Sequence, residues 1–102
     1  MTNSQNLSKL INFQDGSVVS KEIINKPTGT VTLFAFDKGQ GLSEHTTPYD
    51  ALILGIEGSA QVSVSGSINH VNAGESLLMP SNNPHSVKAT EQFKMLLIMI
   101  KS

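Results

Sequence analysis

Three side chains in this 102-residue sequence can hold or move a proton near neutral pH: His45, His70 and His85. Around the first the chain reads Gly39-Gln40-Gly41-Leu42-Ser43-Glu44-His45-Thr46-Thr47-Pro48-Tyr49-Asp50-Ala51. Around the last it reads Gly74-Glu75-Ser76-Leu77-Leu78-Met79-Pro80-Ser81-Asn82-Asn83-Pro84-His85. Imidazoles with a hydroxyl (Thr47), a phenol (Tyr49) and a carboxylate (Asp50) nearby could bind a polar ligand, hold a metal or act as a general acid/base pair. Each histidine taken alone is equally well a solvated or hydrogen-bonded imidazole. His45 and His85 lie too far apart in sequence to be paired by spacing. His70, beside the turn at Ser65-Gly66-Ser67, reads as a surface residue.

Other chemistry is excluded by what is missing. There is no cysteine, so disulfides, thiolate zinc sites and thiol nucleophiles are impossible. No Gly-x-Ser-x-Gly elbow, Gly-x-x-x-x-Gly-Lys loop or Gly-x-Gly-x-x-Gly turn occurs, and Gly39-Gln40-Gly41 is too short to count. The net charge is −1, and all seven basic residues are lysine. Without a basic face or an arginine fork, nucleic acid and clamped phosphate are poor partners. The longest apolar runs, Ala51 to Ile56 and Met95 to Ile100, fall far short of the roughly 20 residues needed to cross a bilayer. The polar start, Met1 to Asn6, has no secretory pattern, so no membrane association and a cytoplasmic location are expected.

The elements that must position these residues read as strands. Only Asn6 to Phe13 has helical spacing, with Leu7, Leu10 and Ile11 on one side and Asn6 or Ser8 as cap. Apolar, β-rich runs at Val18 to Ile24, Val31 to Phe36, Ala51 to Ile56, Ala60 to Val64, Ser76 to Met79 and Gln92 to Ile100 alternate with Gly, Pro, Asn and Ser. Such spacing predicts an all-β sandwich or barrel. Hairpins are expected at Glu57-Gly58-Ser59 and Ser65-Gly66-Ser67, with Asn72 to Glu75 supplying a further glycine turn. The chain divides into an N-terminal segment, 1–14, and one barrel domain, 15–102. The runs at Ala51 to Ile56 and Phe93 to Ile100 are apolar on both faces, Lys94 excepted. Two-sided burial needs a second layer or a second subunit, and a homodimer is expected. Met79, Met95 and Met99 read as adaptable core residues.

The two histidine segments together resemble the cupin superfamily. Its first motif is Gly, five residues, His-x-His, three or four residues, Glu, six residues, Gly. Its second is Gly, five residues, Pro-x-Gly, two residues, His, three residues, Asn. Gly39, His45, Gly58, Gly74, Pro80 and His85 fall at matching places, so the resemblance implies a single-domain cupin-type jelly-roll barrel with a short N-terminal helical turn. It also implies that His45 and His85 point inward from adjacent strands. The departures bear on function: Thr47 stands where the family has its second histidine, Ala51 where it has glutamate, Asn82 where it has glycine and Ala89 where it has asparagine.

Metal-binding cupins use three histidines and one glutamate, and only His45 and His85 carry over. Two imidazoles are too few for a catalytic zinc or a non-haem iron site. Strand parity turns Glu44 away from His45, which leaves Asp50 as the candidate third ligand. Thr47, Ala51 and Gly55 are small, so a roomier, partly apolar pocket is expected, lined by His45, Thr47, Tyr49, Asp50, Ile53, Met79 and His85. Alternatively, bulk from Phe34 or Phe36, Ile53, Leu77 and Met79 fills the space. The favoured function is a small-molecule-binding domain without a tight metal centre, where any divalent ion is weakly held. The alternative is an enzyme: a metal-dependent dioxygenase or isomerase using His45 and His85, or a metal-free acid/base pair.

Overall fold

A computed structural model describes residues 3–102. Met1 and Thr2, which open the N-terminal segment, lie outside the described residues. Asn6 caps a single 3₁₀ turn, Leu7–Lys9, its side-chain oxygen accepting from the Ser8 amide at 3.1 Å and the Ser8 hydroxyl at 2.8 Å. Nine strands follow: β1 (Val18–Lys26), β2 (Gly29–Phe36), β3 (Gly41–His45), β4 (Asp50–Glu57), β5 (Ser59–Val64), β6 (Ser67–Asn72), β7 (Ser76–Met79), β8 (His85–Ala89) and β9 (Phe93–Ile100). They build two antiparallel sheets, one in the order β1-β2-β9-β4-β7 and one in the order β3-β8-β5-β6. No described helix is long and apolar enough to cross a membrane.

Six strands coincide with the apolar runs of the sequence. The other three, β3, β6 and β8, all lie in the four-stranded sheet, and they alternate with polar residues because their outer face meets water. Ser65 and Gly66, at φ 50° and 82°, make the tight β5–β6 hairpin expected there. The other two glycine turns are not hairpins, because β4 and β5, like β6 and β7, belong to different sheets. Gly58 is required at its crossing: at φ 78° a Cβ there would lie 1.7 Å from the Gln92 carbonyl oxygen.

The core fills the space between the sheets. Phe36, Ile53, Phe93 and Met95 from the larger sheet meet Val62, Val71, Val87 and Ala89 from the smaller one or its edge. Each fully buried aliphatic or aromatic side chain contributes about 2 kcal/mol by leaving water. The outer face of the larger sheet is apolar too, as the two-sided runs predict. One end of it is covered by the N-terminal segment, whose Leu10, Ile11 and Phe13 pack on Leu33, Ala35, Ile56 and Leu96.

Lys94 explains its exception to that pattern. It lies 6% exposed on the outer face, where its ammonium donates to the Ser8 carbonyl, sits 3.6 Å from Glu57 and lies 4.8 Å from the Phe13 ring centroid. The buried cation thus pins the N-terminal segment to the sheet. Asp37 makes a second clasp, accepting from the Gly16 amide at 2.7 Å and from Gln92 at 3.1 Å. These bonds hold its carboxyl below the ordinary value, the Gly16 amide most of all.

Candidate functional site

His45 ends β3 and His85 begins β8, and the antiparallel register sets them directly opposite each other. Their rings meet edge to face, with centroids 4.3 Å apart and planes at 73°. The Nε2 atoms are 3.0 Å apart. Each Nδ1 faces the carbonyl oxygen two residues upstream, Ser43 at 2.8 Å for His45 and Asn83 at 3.1 Å for His85. A carbonyl oxygen only accepts, so both Nδ1 atoms carry protons, and on neutral rings both Nε2 atoms are bare acceptors aimed at one point.

The two rings differ in environment. His85 is 5% exposed and continues the buried face of β8 through Val87 and Ala89. His45 is exposed. Burial pushes the His85 imidazole below its ordinary value, and charge on His45 adds to this, while the Asn83 carbonyl pulls the other way. The pair therefore presents a desolvated acceptor behind a solvent-reachable one.

The segment before His85 is tied down on three sides. The Asn82 amide donates to the Thr47 carbonyl at 2.7 Å, and the Ser81 amide to the Asp50 carboxylate at 2.9 Å. The Ser65 hydroxyl donates to the Asn83 side chain at 2.7 Å. Asn82 adopts φ 64°, so it takes the left-handed conformation at the place where the family pattern has glycine. Ser43, Ser65, Asn82 and Asn83 were not singled out as site residues from sequence. The departure at Asn82 was visible there, and asparagine's tolerance of positive φ is the signal that could have been followed.

The remaining candidates do other work. Thr47 folds its hydroxyl onto the backbone of Tyr49, 3.2 Å from the carbonyl and 3.4 Å from the amide. The Tyr49 ring lies beneath the Lys101 ammonium, 5.8 Å from it. Asp50 shares the outward parity of Leu52 and holds the Ser81 turn, so it does not join the histidines. Among the described residues no group of three or more His, Cys, Asp and Glu gathers for a metal. A pair of imidazoles with no anionic partner does not fit a tightly held transition metal.

Ile53 and Met79 are core residues, 0% and 2% exposed. They pack with Phe36, and with Phe34 and Leu77 partly buried against the same cluster, so bulk occupies the interior that was expected to be roomy. Two hollows, of about 250 and 290 Å³, lie on outer sheet faces, and neither is lined by His45 or His85. His70 is exposed on β6, opposite Gln61.

The model of the Cupin domain family matches residues 32–101. A conserved Streptococcus pyogenes protein of unknown function has the same fold with a TM-score of 0.96, at 26% identity over 100% of this chain and 90% of its own. A cupin superfamily protein from Desulfitobacterium hafniense gives 0.95 at 24% identity, covering 100% of this chain and 94% of its own. A cupin 2 conserved barrel domain protein from Leptotrichia buccalis is 41% identical over 95% of this chain, with a TM-score of 0.92. This chain spans only 47% of its length. No curated protein matches at a significant level.

Proposed function

The chain belongs to the cupin family, and from that membership we propose that it binds a small molecule at the His45–His85 pair without a tightly held metal. The observation that carries the reading is the pair of Nε2 acceptors 3.0 Å apart, one buried and one open to solvent. Facing lone pairs repel, and a ligand hydroxyl, amine or other donor approaching from the His45 side would relieve them while keeping both carbonyl contacts. The filled core confines such a ligand to the mouth of the barrel, so a small polar group is favoured over a large apolar one. Barrel mouths are frequent ligand sites.

The alternative, a metal-dependent dioxygenase or isomerase, needs donors beyond these two imidazoles. Both readings are tested by following the ring ¹⁵N resonances of His45 and His85 against small carbohydrates, aromatic alcohols, Zn²⁺ and Mn²⁺. Saturable shifts with an organic compound are expected, abolished by His45→Ala. Near-stoichiometric metal that survives chelator dialysis and is released by His45→Ala would replace this reading with the metal-dependent one.

A further inference from the structure

The outer face of the smaller sheet carries polar side chains that the His45–His85 pair does not use. Lys88, Gln61 and His70 form one cross-strand row, taken from β8, β5 and β6, and Ser86, Ser63 and Ile68 form the next. Side chains directly opposite one another have Cβ atoms about 5 Å apart, so both serine hydroxyls and the Gln61 amide lie within reach of one small molecule. A hollow of about 290 Å³ lies over these rows, walled by Gln61, Ser63, Ile68, Ser86 and Lys88 and ending at Gly66 in the hairpin. Ligand pockets begin at about this size, roughly 300 Å³.

Polar groups at the two ends of this face are answered from within the chain. The Ser59 and Thr90 hydroxyls share a hydrogen bond at 2.9 Å, and the Asn72 side chain donates to Glu75 at 2.9 Å. At the hairpin end the Ser65 hydroxyl donates to the Asn83 side chain at 2.7 Å. Between them Gln61, Ser63 and Ser86, each half-buried, make no side-chain hydrogen bond to any of the described residues. Lys38 is engaged by Glu91, Lys94 by Glu57 and Lys101 by the Tyr49 ring, whereas Lys88 has no acidic partner among the described residues. No acid lines the hollow, and Glu44, exposed in the irregular stretch of β3 beside β8, is not one of its walls. The hollow therefore offers one cation, two hydroxyls and one amide, all without a partner in the chain. An unpaired ammonium favours an anion, and the hydroxyls favour a ligand that can both donate and accept.

The geometry points to a second ligand site, in the hollow on the outer face of the smaller sheet, for a small hydroxylated carboxylate. Lys88 and the Gln61 amide take the carboxylate, Ser63 and Ser86 exchange hydrogen bonds with the hydroxyls, and Ile68, 62% exposed, gives the carbon chain an apolar wall. The site is separate from the histidine pair, because β8 turns His85 inward and Ser86 outward.

The test is a titration with sodium D-gluconate at constant ionic strength, followed through the ¹⁵N resonances of the Gln61 side chain and the Ser63 and Ser86 amides. Saturable shifts at millimolar concentration are expected. Sorbitol, which keeps the hydroxylated chain without the carboxylate, and inorganic phosphate, which keeps the charge without the chain, should each bind at least about tenfold more weakly. Lys88→Gln, at an exposed position, should weaken gluconate binding about tenfold with an unchanged circular dichroism spectrum. Lys21→Gln, an equal loss of charge at an exposed position on the larger sheet, should leave binding unchanged, and so should His45→Ala. Shifts that never saturate would overturn the inference, as would equal binding of sorbitol or phosphate, an equal effect of Lys21→Gln, or loss of binding in His45→Ala.

Discussion

His45 and His85 share three polar contacts but, when neutral, only two ring protons. Both Nδ1 atoms face carbonyl oxygens and the two Nε2 atoms face each other at 3.0 Å. All three contacts are hydrogen bonds only when the rings hold three N–H protons, one more than two neutral imidazoles supply. The pair can thus accept one donor group from a ligand. A second proton would break the Nε2 contact.

Burial of His85 predicts a pH dependence. His85 titrates below its ordinary value in the folded chain, chiefly because it is buried, so below about pH 6.5 the unfolded state binds more protons than the native one. The stability His85 contributes is complete above that pH and is lost as pH falls through its folded value. Urea midpoints measured from pH 8 to pH 5 should decline, and His85→Gln should flatten the decline. An unchanged slope in the variant would assign the effect elsewhere.

Asn82 makes a separate prediction about the turn that presents His85. At φ 64°, Asn82→Gly should leave stability within about 0.5 kcal/mol, whereas Asn82→Val should cost about 1–2 kcal/mol, because a β-branched residue is strained in that conformation. Equilibrium urea unfolding of the two variants measures the difference.

Lys94 holds the N-terminal segment through its ammonium and packs through its stem. Lys94→Ala should destabilise by about 2 kcal/mol, since a charge-assisted hydrogen bond and buried aliphatic contact are both lost. Lys94→Met, which keeps most of the stem, should cost less. Limited proteolysis should also cut the segment before Gly16 faster in the alanine variant than in the native chain.

Restoring the family's missing ligands tests why metal should be weakly held. Thr47→His with Ala51→Glu is expected to raise Zn²⁺ affinity by at least about 100-fold in calorimetric titration, since third and fourth donors and a negative charge would join the imidazoles. The double variant should be less stable than the native chain, because Ala51 is buried and the Thr47 hydroxyl is engaged in its turn.

Much of this was legible in the residues. Hydrophobic runs located the strands with two-sided burial, and the motif spacing related two histidines far apart in sequence. The polar strands were harder: β3 buries no residue, β6 only Val71, and β8 only His85, Val87 and Ala89 at alternate positions, so no apolar run announced them. Asp50 reads as a candidate ligand once Glu44 is excluded, yet β4 begins at Asp50 itself and fixes its parity outward. The expectation of a roomy interior counted the small residues of the motifs. The core instead follows the alternative, with Phe36, Ile53 and Met79 joined by Phe93 from a further strand. Lys94 looked like a break in an apolar face, because its partners lie on a segment brought to it from the other end of the chain.

The order β1-β2-β9-β4-β7 has a consequence for synthesis. β9 is the last strand in sequence, yet it lies at the centre of its sheet, between β2 and β4. Until Phe93–Ile100 leaves the ribosome, the β1–β2 and β4–β7 pairs each expose an unpaired edge, and the core lacks Phe93 and Met95. Until then the larger sheet can exist only as two separate ribbons, so the nascent chain is most vulnerable in the interval before β9 emerges, when a chaperone has the most apolar surface to hold.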